Sequence, residues 1–410
     1  MYSNVNYQRF EKRVFIILSG SALINATLVV VMVSLPFLLV TMGLSLAFMG
    51  VIEAVGLLTN YAARIPAKIY VERNGSEAGI ASGLIAMGVS MSFLFLTKNL
   101  SLIIAAVFLI NVSYTLFRYG IRPKLTRKLQ GSEDDRIPSS YQLFNAIGPF
   151  AALVVAGLYT GSDVRPIYGG ISLILLFAGV LSLFLLIFNK PPRNTKPLSS
   201  RFNELIRKPM MTLNEIGKIK EKEFLLALTV IQLVTTLSIG AVLVFFPAMA
   251  IKDGLGRTEI FFLFAIVGIA SFLLSYVGRL FRSEFIGRMF FLTRPLFLLI
   301  SLIIISLGYD QMLFLTGYAI TAVWYMLEPG SRYFAMRQFE YGDPDKIEYL
   351  SAIFSRPVAV IAPLMGALLW LASPRLVFAV AIFPTLVALL LAHLIVNRPE
   401  IFQGINPGKN

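Results

Sequence analysis

Asn189-Lys190-Pro191-Pro192-Arg193 opens the one long basic stretch that interrupts an otherwise apolar chain, and its position decides the fold. The stretch continues through Ser200–Lys222, where bases alternate with apolar residues. Six apolar runs precede it, at Val14–Val40, Leu44–Ile69, Gly79–Thr97, Leu102–Tyr119, Tyr141–Thr160 and Ile167–Phe188. Six follow it, at Phe224–Ala250, Ile260–Leu280, Met289–Leu307, Met312–Tyr333, Tyr349–Leu371 and Leu376–Val396. Each is near the roughly twenty residues that a helix rising about 1.5 Å per residue needs to cross about 30 Å of hydrocarbon. Mean hydropathy is +0.77 and only 14% of residues are charged, too few to cover water-facing domains in a chain of 410 residues. The expected fold is an all-α integral membrane protein whose twelve transmembrane helices form two six-helix bundles, residues 1–189 and 224–410. Residues 190–223 form the connector, either an amphipathic helix on the membrane surface or a solvated linker held near anionic lipid by its charge.

The net charge of +14 is an orientation signal and not a nucleic-acid footprint, because it is segregated to alternate loops. The odd-numbered connections contain only Lys98, Arg165, Lys252, Arg257 and Arg375. Nearly all other bases lie at the termini or in the even-numbered connections, which the positive-inside rule assigns to the cytoplasm. Both termini and the connector are therefore expected inside, in a multi-pass protein of the cell membrane. Val14–Val40 is too long for a signal-peptide core and is read as a retained helix. The chain has no Cys, which excludes disulfides, thiol catalysis and Cys-ligated metals. No Gly-rich loop ending in Lys-Ser/Thr is present for ATP, and no metal or cofactor is expected.

A weak repeat relates the halves. Glu72-Arg73-Asn74-Gly75 after span two recurs as Glu284-Phe285-Ile286-Gly287 after span eight; Arg118-Tyr119 recurs as Arg332-Tyr333, and Pro149 matches Pro357. Their common order and nearly constant separation point to a duplicated six-helix unit. With this topology, the stretch Lys68-Ile69-Tyr70-Val71-Glu72-Arg73-Asn74-Gly75-Ser76-Glu77 resembles the Gly-x-x-x-Asp-Arg-x-Gly-Arg-Arg loop between spans two and three of the major facilitator superfamily. It keeps the acid, the Arg and the second Gly, and departs at Lys68, Glu72 and Ser76-Glu77. Glu284, Gly287 and Arg288 fit the same frame in the second half. Gly75 permits a tight reversal, and Glu72 is placed to pair with a cation such as Arg118. The loop is either a state-dependent latch, with Arg73 among its members, or a basic loop that sets topology.

Polar residues at mid-depth are costly and are functional candidates. Counting along the helices puts Asn25, Glu53 and Asn111 about 13–17 Å, and Gln232 and Arg356 about 10–13 Å, from the ends of their spans. Spans three, six, nine and twelve hold no ionisable residue near mid-depth, only Arg294 and His393, both read as snorkelling toward cytoplasmic ends. The resemblance implies that these four spans are peripheral and that the others line a cavity. Glu53 could take up and release a proton as that cavity opens to either side, or serve as a structural acid. Arg356 either grips an anionic solute or neutralises Glu53. In span ten, Glu328-Pro329-Gly330-Ser331-Arg332 puts an acid and a base on one helical face, and the Pro-Gly pair would break the helix. They are expected in the latch, or as a helix-end ion pair. Trp324 and Tyr325, a turn deeper, either stack on a solute or pack between helices. Gly148-Pro149 in span five resembles the Gly-Pro element of proton-linked antiporters, and the small residues there also permit close helix approach.

The expected function is a secondary active transporter that moves a small organic solute by alternating access, coupled to protons, in the export direction, acting as a monomer in the bilayer. The rival readings are a sensor or lipid scramblase built on a transporter fold, and a membrane-embedded lipid-linked transferase. The last is disfavoured because the outer loops offer few acids, among them Asp163, Asp253 and Asp310.

Overall fold

The computed structural model describes residues 2–97, 99–129, 136–159, 163–187, 222–280, 284–308, 310–328, 331, 334–335 and 344–397. All of the connector before Lys222 lies outside them. The described residues are helical with no strand, as a bilayer requires of a spanning chain that must satisfy its own backbone. Among the described residues twelve helices of 16 residues or more follow one another: α1 (Tyr2–Thr41), α2 (Phe48–Asn74), α3 (Ser76–Leu96), α4 (Leu100–Leu129), α5 (Arg136–Leu158), α6 (Arg165–Ile187), α7 (Lys222–Val242), α8 (Arg257–Leu280), α9 (Glu284–Leu307), α10 (Gln311–Met326), α11 (Pro344–Ala372) and α12 (Pro374–Asn397). Among the described residues eight helices are long and apolar enough to cross a membrane, and Leu143–Leu158 is a shorter apolar helix. The protein is an integral, multi-pass membrane protein.

The seventh span is not one helix. After α7 a 3-10 turn, Leu243–Phe245, leads into a short helix, Phe246–Lys252. Pro247 explains the break, since it has no N–H to donate back along the helix and its ring crowds the preceding turn. α10 starts sharply because Asp310 caps it, its Oδ1 accepting from the Met312 N–H at 3.1 Å.

The chain divides into two compact units: Met1–Ser45, Val55–Asn203 and Arg257–Ile269 form the first, and Leu46–Ala54, Glu204–Gly256 and Ala270–Asn410 the second. In the first, α3 packs against α4 and α6, and α1 against α5. Hydroxyls tie these helices where no water is available. Ser34 Oγ meets Tyr168 Oη at 2.7 Å between α1 and α6, and Ser92 Oγ meets Ser172 Oγ at 2.7 Å between α3 and α6. In the second, α7 packs against α11 and α12, and α9 against α10 and α12. Ser238 Oγ lies 2.7 Å from Thr385 Oγ1 between α7 and α12. An aromatic core forms where Phe246 meets Tyr318 and Phe378, ring centroids 5.0 and 5.5 Å apart. α6 leaves Leu173, Ile174, Phe177 and Phe184 exposed, and α12 leaves Phe383 and Leu390 exposed. Such apolar faces suit lipid and would be a liability in water.

Candidate functional site

In the first unit the polar residues converge on the α1–α5 contact. Asn25 Nδ2 donates to Asn145 Oδ1 at 3.0 Å and to the Ser21 carbonyl at 2.9 Å. Ser21 Oγ donates to the same Asn145 oxygen at 2.6 Å. One amide carbonyl of α5 thus gathers two donors of α1, and Asn145 joins the group although its position on its own helix had not singled it out. The helices approach closely there because Gly148 has no side chain: a Cβ would stand 2.7 Å from the Ala22 carbonyl oxygen. Pro149 follows within α5. Asn111 lies at the approach of α4 to α2, where a Cβ on Gly56 would meet its amide nitrogen at 2.7 Å. Its Nδ2 donates back to the Val107 carbonyl at 3.0 Å, so it is satisfied on its own helix.

In the second unit the start of α2 crosses α11 at Gly50, where a Cβ would fall 2.1 Å from the Pro363 carbonyl oxygen. Glu53, half-buried, lies one turn beyond that crossing, and among the described residues it forms no ion pair. The alternative that Arg356 neutralises it is not realised here. From the crossing, Glu53 is three residues along α2 and Arg356 seven along α11, about 4.5 Å and 10.5 Å of rise, which leaves them staggered by about 6 Å. Gln232 is exposed on α7. The crossing itself is testable. Gly50→Ala should lose about 1–3 kcal/mol of stability to overpacking, despite Ala's better helix propensity, because a backbone carbonyl cannot swing away. A thermal melt that is unchanged would show that the helices separate freely at this point.

The best-defined cluster of charged and aromatic groups lies between α9 and α10. Arg294 Nη2 is 3.2 Å from Glu328 Oε2, and the guanidinium carbon sits 4.5 Å above the centroid of the Trp324 ring. Tyr325 meets Trp324 edge to face at 4.6 Å. Arg294 is drawn to the neighbouring helix by a carboxylate and a ring face. The hairpin dictates the match: Arg294 stands 13 residues before Leu307, and Trp324 stands 13 residues after Gln311. Glu328 thus takes its cation from α9. Pro329, Gly330 and Arg332, expected to work with it, lie outside the described residues.

The loop frame holds together locally. Gly75 adopts φ 94° at the entry to α3, the reversal that only Gly makes at low cost. Glu72 pairs with Lys68 one turn back on α2 at 3.8 Å, not with Arg118, which is exposed. An i,i+4 partner needs no tertiary contact, and both side chains are more than a third solvated, so the pair contributes little stability. Arg73 is also exposed. In the second unit Arg288 Nη2 donates to the Val396 carbonyl, tying the start of α9 to the end of α12 beside buried Gly287. The side chain of Glu284 lies outside the described residues. His393 is bonded to Asn397 on its own helix.

Three of the five bases in the odd-numbered connections serve carbonyls and acids at helix ends. Arg165 bonds Asp163 through Nε at 2.6 Å, and Arg257 Nη2 donates to the Tyr159 carbonyl at 2.6 Å. Arg375 donates through Nη1 to the Ile305 carbonyl at 2.9 Å and through Nη2 to Asp253 Oδ1 at 2.8 Å. The hydrogen bond from Arg165 holds the Asp163 carboxyl below its ordinary range. Burial raises that of Asp253, against the pull of Arg375 and with Asp310 adding to the rise. Among the described residues no three His, Asp or Glu come together to hold a metal ion.

The whole chain is similar to solved transporters. Against a mutant of the nucleoside transporter NupG the TM-score is 0.72 at 10% identity, covering 93% of this chain and 99% of that one. A POT family transporter in complex with 5-aminolevulinic acid gives 0.71 at 14% identity, covering 95% and 96%. A bacterial homolog of the human lysosomal transporter Spinster, in an inward-facing and occupied conformation, gives 0.69 at 11% identity, covering 98% and 99%. At such identities the likeness concerns the fold. No curated protein matches in sequence. A sequence profile of the Major Facilitator Superfamily, however, matches residues 15–342, and this match over most of the chain assigns it: it belongs to the Major Facilitator Superfamily.

Proposed function

We propose that the protein is a secondary active transporter that moves a small organic solute across the cell membrane by alternating access, driven by protons. Membership of the superfamily supports the transport reading, and the similar structures include a nucleoside transporter and a peptide transporter. The observation that carries proton coupling is Glu53, a half-buried carboxylate with no ion-pair partner among the described residues, one turn from a close helix crossing. A carboxylate so placed can gain or lose its proton without breaking a salt bridge, and helix movement at the crossing changes its exposure. Export is the favoured direction, on the Gly148-Pro149 element and its close seat against α1. The termini are cytoplasmic by the charge of the loops, and the working unit is a monomer.

The test is reconstitution of the purified chain in proteoliposomes. A solute library ranked by thermal stabilisation supplies the substrates, and each is assayed with and without an imposed pH gradient. Solute accumulation that follows the gradient, with proton movement that requires solute, is the expected result. Solute movement indifferent to the gradient would remove the coupling, and lipid movement in place of solute movement would replace the transporter with a scramblase.

A further inference from the structure

We propose that Arg294 binds an anionic group of the solute, a carboxylate or a phosphate, with Trp324 as its platform and Glu328 as a resident counter-ion that the ligand displaces. A guanidinium recognises such anions through two neighbouring N–H groups at once. Nε and Nη2 form one such edge. Glu328 engages it at Nη2 alone, at 3.2 Å, while Nε is buried and has no hydrogen-bond partner among the described residues. A buried charged donor left unmatched is costly, so this edge is half used. An incoming anion that took Nε and Nη2 together would satisfy both donors and release Glu328.

The two partners differ in a way that suits the exchange. The Arg294 side chain is 21% exposed and its face is covered by Trp324, whereas the Glu328 side chain is 46% exposed. The cation is fixed, and its counter-ion is the better solvated of the two. An ionised pair at this depth has an alternative, an apolar contact of the same volume, that would cost less to bury. A charged pair placed there fits a group that must meet a charge on something else. The inference deepens the transport reading, resting on it only in calling the anion part of a transported solute.

The chain contains two tryptophans, and Trp370 stacks on Phe245 at 4.9 Å. Trp370→Phe keeps an aromatic ring there and leaves Trp324 as the sole reporter, directly beneath the guanidinium. The purified full chain carrying this change is titrated with benzoate and with phenyl phosphate at constant ionic strength, with benzyl alcohol and benzylamine as neutral and cationic controls. At least one anion should give a saturable change in Trp emission, with the controls weaker by about tenfold or more. The tighter of the two identifies the headgroup as carboxylate or phosphate. Arg294→Gln should weaken the response by about tenfold or more, and Arg294→Lys, which keeps charge but not the planar fork, by less. Glu328→Gln should tighten it several-fold by removing the competitor. That sign separates a binding residue from a strut, because a pair that only holds α9 to α10 would bind anions no better once broken. It also stands if Arg294→Gln fails to fold. No saturable response to either anion, an equal response to benzyl alcohol, or weaker binding in Glu328→Gln overturns the proposal. Anion binding in a protein that moves no solute would retain it and dispose of the transport reading; transport without an anion response would do the reverse.

Discussion

Glu53→Gln should abolish gradient-driven accumulation of solute while leaving exchange of solute across the membrane measurable. A one-unit pH gradient supports at most about tenfold accumulation in a one-proton cycle, about 1.4 kcal/mol, and the variant should show none of it. Gln matches the shape of Glu but carries no proton. Since Glu53 forms no ion pair among the described residues, the substitution strands no buried cation. The fold should therefore survive, and the thermal melt should move by much less than a broken buried pair would move it. The two readouts together separate coupling from structure. Full gradient-driven accumulation in the variant removes Glu53 from the mechanism, and loss of both accumulation and folding makes it structural.

The fold was legible because hydropathy is local. Twelve runs of the right length, a connector that divides them and bases in alternate loops need no knowledge of which helix meets which. The break after α7 could also have been read, from Pro247 inside an apolar run. The site was less legible because it depends on facing. Glu53 and Asn25 were visible as costly residues at depth, and Trp324 and Glu328 as members of the span-ten group, but their partners are set by crossings. Arg356 was matched to Glu53 by depth and by the neighbouring of spans two and eleven in the resembled fold, and the Gly50–Pro363 contact staggers the two by about 6 Å. Arg294 was dismissed by counting from the apolar start at Met289. The helix begins at Glu284, ten residues or about 15 Å of rise before Arg294. Counting from the α9–α10 turn would have put it opposite Trp324. Asn145 was hidden by the Gly-Pro motif that follows it.

The outer arginines were legible only as exceptions to a charge rule, and they lead to the second large expected effect. Arg375→Met should destabilise the protein by about 3–5 kcal/mol, because it leaves a buried carboxylate without its cation. The Arg375 side chain is 17% exposed and that of Asp253 only 5%. Arg375 also holds the Ile305 carbonyl, so one side chain secures the ends of two other elements. Arg165→Met, by contrast, should cost within about 1 kcal/mol, since both members of that pair are about a third exposed, 35% and 34%. The Arg375→Met, Asp253→Asn double variant should lose less than the sum of the single changes, because it leaves no charge behind. Denaturation of the four proteins in detergent measures the cycle, and additive losses would mean that the two groups act separately.

The pH dependence has a sign fixed by which influence prevails at Asp253. Burial lifts its carboxyl above the ordinary value more than Arg375 lowers it. Stability linked to that proton is then fully present below the unfolded value and is lost as pH rises through the folded one. Asn carries no such proton, so the stability gap between the wild type and Asp253→Asn should narrow as pH rises through that range. Asp163, held low by Arg165, has the opposite sign, its contribution being lost as pH falls through its folded value. A gap at Asp253 that widened with rising pH would mean that the attraction of Arg375 outweighs burial. The clasp would then stabilise the ionised pair rather than merely tolerate it.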